Sequence, residues 1–103
     1  MTMEYNKLVR DKIPAIIAAQ GGKAHTKILD DAAYAEYLEK KLDEEVAEYH
    51  ESKAAEELAD ILEVVFALSE TAGCSKEELF SICDAKREKR GGFAEKIFLR
   101  SVD

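Results

Sequence analysis

Four carboxylates carry the strongest chemical signal in this chain. Glu45 and Glu48 are three residues apart, and so are Glu57 and Asp60. Three residues is close to one helical turn, so each pair shares a helix face. The two motifs are separated by Ser52, a residue type suited to starting a helix, and a short link there makes two helices antiparallel neighbours. Glu48 then stands opposite Glu57, and Glu45 opposite Asp60. The two levels are about 4.5 Å apart, from the rise of a helix. Four acids converging on one volume repel each other and lose hydration, which costs several kcal/mol without a counter-charge. Hard oxygen donors without histidine or cysteine select magnesium, manganese or calcium. The cluster therefore predicts a divalent metal site with Glu45, Glu48, Glu57 and Asp60 as ligands. The competing reading is an ordinary solvated face of Glu-rich helices.

Helical wheels weigh against that alternative. On the second predicted helix, Tyr34, Leu38, Leu42, Val46 and Tyr49 form one apolar arc. Glu45 falls inside it and Glu48 at its edge. On the third, Leu58, Ile61, Leu62, Val64, Val65, Phe66 and Leu68 form a wide arc that contains Glu57, with Asp60 just outside. Glu36, Glu39, Glu56 and Glu63 are better placed to be solvated.

The elements follow from breakers and caps. Pro14 suits the first turn of a helix over about 14–20, or a bend in one starting near Val9, and Gly21-Gly22 stops it. Asp30 or Asp31 caps a second helix running to about Glu51. Ser52 is the expected N-cap of a third, ending near Ala72 with Gly73 in the stop position. Ser75 and Glu78 form a capping box that opens a fourth, closed by Gly91-Gly92. Residues 23–29 (KAHTKIL) and 96–102 (KIFLRSV) have strand character and could pair. The expected fold is mainly α, an antiparallel helical hairpin or bundle of about four helices, with an optional two-stranded sheet from 23–29 and 96–102. With 103 residues, the chain is read as one domain spanning 1–103.

Composition narrows the function classes. The net charge of −7 argues against general nucleic-acid binding. No apolar run approaches the ~20 residues needed to span a bilayer, and the first residues lack a signal-peptide core. Cys74 and Cys83 have no CxxC spacing and no matching histidine pair, so free thiols in a reducing, cytoplasmic setting are expected. His25 and His50 have no partner spacing and receive no catalytic role.

Charge is unevenly placed. Glu36–Glu63 holds eleven acids and three bases, Lys86–Arg100 six bases and two acids, and Tyr5–Lys12 three bases and one acid. An acidic centre between two basic ends suggests a metal plus an anion. Lys86, Lys89 and Arg90 precede Gly91-Gly92, where a backbone can approach a ligand closely. A basic helix end that complements the macrodipole explains them equally well. Lys7, Arg10 and Lys12 form the second basic cluster, for which salt bridges to the acidic centre are an equal explanation. Asp84 beside the C-terminal cluster is a further candidate orienting or metal residue. Tyr34, Tyr37 and Tyr49 could stack a base, but core packing is their simpler role.

Three stretches resemble a known family. EEVAE (Glu44–Glu48) followed by EELAD (Glu56–Asp60) resembles the EExxE…ExxD pattern of the MazG-like all-α nucleotide pyrophosphohydrolases. YNKLVRDKIPAII and KREKRGGFAEKIFL resemble the phosphoribosyl-ATP pyrophosphohydrolase-like branch. The resemblance implies magnesium-dependent hydrolysis of a nucleoside triphosphate to a monophosphate and pyrophosphate, with manganese as a substitute ion. It carries the metal role to Glu45, Glu48, Glu57 and Asp60. Glu44 matches the extra acid of the first motif, and Glu44 or Glu45 is the candidate base. Lys7, Arg10, Lys12, Lys86, Lys89 and Arg90 are the candidate phosphate contacts. It also implies a homodimer or homotetramer, which the broad apolar arcs favour on their own. Two rivals remain open: phosphoribosyl-ATP hydrolysis in histidine synthesis, and a non-catalytic helical interaction module.

Overall fold

A computed structural model describes residues 3–103 and contains four helices, α1 (Ile13–Ala19), α2 (Asp31–Ser52), α3 (Ala55–Thr71) and α4 (Lys76–Arg90). Asp30 caps α2 by accepting a 2.8 Å hydrogen bond from the Ala33 N–H. Pro14 lies in the first turn of α1, where a missing N–H costs nothing. The Ser75–Glu78 capping box opens α4. Gly73, at φ +79°, supplies the left-handed turn that ends α3.

The α2–α3 turn differs from expectation. Ser52 is the last residue of α2 and not the N-cap of α3. Lys53 takes the left-handed cap at φ +58°, and its N–H donates to the Tyr49 carbonyl at 2.7 Å. The Ser52 hydroxyl accepts from the Ala54 N–H at 3.1 Å, so it braces the turn itself. Ala54 is then the extended residue from which α3 starts, with no side-chain cap. The acids Glu56 and Glu57 in the first turn of α3 offset that loss by facing the positive end of the helix dipole.

α2 and α3 form the antiparallel hairpin that carries the packing, while α4 packs on α3 and on no other helix among the described residues. Among the described residues, Leu38 and Val64 are the buried apolar ones. Half-buried Tyr34, Leu42, Val46 and Tyr49 on α2 and Ile61, Val65 and Leu68 on α3 surround them. Of the arc expected on α3, Leu58 and Leu62 are instead 45% and 50% exposed. They lie on the outer side of the helix, whereas the stripe Glu57, Asp60, Ile61, Val64 and Leu68 turns toward α2. The apolar arc is wider than one neighbour can cover.

No strand exists among the described residues, so the optional sheet is not formed. Residues 23–29 and 96–102 carry no hydrogen bonds to each other. Ile28 is 97% exposed and Phe98 85%, so neither segment has a core to pack against. A two-stranded ribbon without such a backing is marginal in water. No helix among the described residues is long and apolar enough to cross a membrane.

Candidate metal centre

The hairpin brings three of the four predicted ligands together. One carboxylate oxygen from each of Glu45, Glu57 and Asp60 lies within 4.8 Å of the others. Oxygens sharing one cation are separated by at most twice the metal–oxygen distance, about 4–5 Å. That limit is about 4.2 Å for magnesium and about 5 Å for calcium, so the set has the span of a calcium-sized site and must close slightly to hold magnesium. The expected facing of Glu45 and Asp60 is present, and Glu57 joins them from one turn earlier on α3. Glu48 stands apart from this set. It is exposed, and it acts on the cluster through its contact with Glu45.

Glu45 is the anomalous member. Among the described residues it is the one buried charged side chain, at 7% exposure, on the face of α2 that packs against α3. Its Oε1 pairs with Lys41 Nζ at 3.3 Å, but its Oε2 is buried without a hydrogen-bond partner. An unsatisfied buried oxygen of this kind costs about 1–3 kcal/mol. Burial raises the Glu45 carboxyl above the usual range, and the adjacent Glu48 carboxyl adds to the rise against the pull of Lys41. Glu57 is also raised, by loss of hydration and then by the charges of Asp60 and Glu45. Two neighbouring acids held reluctant to ionise mark a place that favours added positive charge.

The rim supplies part of that charge. Arg10 donates to Asp60 Oδ1 at 2.8 Å, and Lys7 donates to Glu44 Oε1 at 3.0 Å. Residues 7–10 thus strap the N-terminal segment across the hairpin. Burial pushes Glu44 upward, but Lys7 and Lys41 outweigh it and leave Glu44 below its ordinary value. Lys7 is raised in turn, first by its hydrogen bond to Glu44. Lys12, by contrast, is exposed at the start of α1 and makes no ion pair among the described residues. Lys86, Lys89 and Arg90 are exposed on α4 and pair with no cluster carboxylate. Asp84 pairs with Arg87 at 3.7 Å on the same helix.

Sequence reasoning missed Lys41. It is largely buried and sits 3.4 Å from Glu44 and 3.3 Å from Glu45. Its signal was the i, i+3 and i, i+4 spacing to those two acids. With Lys7, Lys40, Tyr37 and Glu44 it also lines a shallow hollow between the N-terminal segment and α2. Tyr37 there packs under the Lys40 ammonium, 4.6 Å from the ring centre.

Comparisons with protein-family models, curated proteins and solved structures give no match. The functional reading therefore stands on the motifs and on this geometry.

Proposed function

We propose that the chain is a magnesium-dependent nucleotide pyrophosphohydrolase, cleaving a nucleoside triphosphate, including non-canonical ones, to a monophosphate and pyrophosphate. The observation that carries this reading is the buried, unpartnered Oε2 of Glu45 beside the carboxylates of Glu57 and Asp60. Oxygen-only donors fit magnesium, with manganese as a substitute. Such an ion supplies neutralising charge at the phosphates and makes nearby water more acidic. Glu45, Glu57 and Asp60 would hold it, with Glu48 able to close in from the exposed side.

The residues around the cluster divide the remaining work. Glu44 is held ionised by two ammonium groups. The free oxygen of Glu45 is the one given to the ion, which leaves Glu44, the other candidate, to orient the attacking water and take its proton. Arg10 and Lys7 stand at the rim, where they can exchange their carboxylate partners for phosphate oxygens. The chain works in the cytoplasm and assembles with copies of itself, as a homodimer or homotetramer.

The test is incubation with a panel of nucleoside triphosphates and magnesium, followed by assay for pyrophosphate. Release that depends on magnesium and is lost in Glu48→Gln and Asp60→Asn supports the assignment. Undiminished release by both variants would remove these residues from the site. No turnover of any nucleotide, phosphoribosyl-ATP included, would favour the non-catalytic module.

A further inference from the structure

The chain exposes far more surface than its mass accounts for. Its accessible area is 9301 Å². A folded monomer of 11.5 kDa exposes about 5,800 Å², which leaves an excess of about 3,500 Å². The radius of gyration is 18.0 Å, against about 13 Å for a compact domain of this length. Permanent interfaces remove about 2,000–5,000 Å² or more, both partners counted. Two chains together carry about 7,000 Å² of such excess, enough to supply even a large permanent interface.

The excess is concentrated in two places. The segment after α4 holds Phe93, Ile97, Phe98, Leu99 and Val102, exposed by between 74% and 98%. It opens with a turn closed by the Lys96 N–H donating to the Phe93 carbonyl at 3.1 Å, and from Ile97 onward no backbone hydrogen bond ties it to the rest of the described chain. Every residue from Phe80 to Arg90 is also exposed, so the distal part of α4 carries this segment away from the hairpin. The second place is the outer side of α3. Leu58 and Leu62 lie four residues apart there, one turn along the same stripe. Lys96 and Arg100 flank the apolar run Ile97–Leu99 in sequence. Both apolar surfaces belong to the same chain.

We propose that residues 93–102 form an exchange arm that docks on the Leu58–Leu62 face of α3 in a second copy of this chain. The arm buries its own apolar run and covers the half of the α3 arc that α2 leaves bare. This deepens the self-assembly reading and is independent of the hydrolysis.

The test combines sedimentation with a fluorescent probe in the full-length chain. The sequence contains no tryptophan, so Phe98→Trp reports on the arm alone. At micromolar concentration the mass should be at least twice 11.5 kDa. Emission from position 98 should be blue-shifted, as for a buried indole, and should move to the red on dilution in step with the fall in mass. Adding Leu62→Glu should shift emission to the red and lower the assembled fraction at least tenfold, with far-ultraviolet helicity kept because position 62 is half-exposed. A mass of 11.5 kDa at micromolar concentration overturns the proposal by removing self-assembly. An assembled chain whose emission at 98 is that of a solvated indole and ignores Leu62→Glu overturns the arm while leaving assembly standing. Neither readout involves nucleotide or metal, so failure here is distinct from failure of the pyrophosphohydrolase reading.

Discussion

The α2–α3 hairpin and the α4–C-terminal region use similar materials to opposite ends. Both mix apolar residues with charges. In the hairpin, charge has been drawn inward: Glu45 on α2 is more buried than Leu58 or Leu62 on α3. In the distal part of α4 and the segment after it, apolar residues have been left outward, with Phe93 at 98% exposure. An interior carboxylate and an exterior phenylalanine are both unfavourable in a finished monomer. Each makes sense if something is still to arrive, a cation in the first case and a second chain in the second.

That contrast can be tested by substitution. Leu38 is the most buried apolar residue of the hairpin, so Leu38→Ala should cost about 2–4 kcal/mol in urea unfolding. Phe93→Ala, read on the same scale under conditions where the chain is monomeric, should cost almost nothing. A comparable loss in both would mean that the C-terminal segment belongs to the fold of the single chain.

The pH profile of the metal-free protein is the next discriminator. Glu45 and Glu57 have folded values raised above the ordinary 4.5. The folded state therefore binds more protons than the unfolded state above that pH, and the stability these groups contribute is lost as pH rises through their folded values. Glu44, with its lowered value, has the opposite sign, and its contribution is lost as pH falls below 4.5. Melting temperature without magnesium should accordingly fall as pH rises above 4.5 through the raised folded values of Glu45 and Glu57. Saturating magnesium should flatten that fall. A rise over the same interval would show that the cluster is already compensated within the chain.

Arg10 gives the smallest effect. Its pair with Asp60 is largely exposed, so Arg10→Gln should change stability by no more than about 1 kcal/mol. Removing that guanidinium leaves Asp60 free, and manganese titrated by calorimetry should bind several-fold more tightly. Weaker binding would place Arg10 in support of the ion rather than in competition with it.

The site was more legible in the sequence than its surroundings. Symmetry about one turn and placement on apolar arcs were enough to bring Glu45, Glu57 and Asp60 together, because helical geometry is rigid over three turns. Glu48 escaped that logic. It lies one turn nearer the hairpin end, where α2 is already opening to solvent. The helix limits were equally readable where a side chain does the capping, at Asp30 and Ser75. They were misread at Ser52, where a left-handed Lys53 closes α2 and the serine serves the turn. Residues 23–29 and 96–102 have the composition of strands but lack a backing layer within the chain, and composition does not report that. Nor could it show which half of the α3 arc would meet α2. That choice sends Glu57 and Asp60 inward and leaves Leu58 and Leu62 outside.

Thermal unfolding with and without magnesium, in the native chain and in Glu45→Gln, speaks to the metal centre without assuming any substrate. A bound ion stabilises by mass action, by about 2.7 kcal/mol at a hundred times its dissociation constant. The native chain should melt higher with saturable dependence on magnesium. Glu45→Gln should melt higher than the native chain in the absence of magnesium, because its buried charge is gone, and should gain nothing from the ion. A native melting temperature indifferent to magnesium, or an equal gain in Glu45→Gln, would contradict a metal held by Glu45, Glu57 and Asp60.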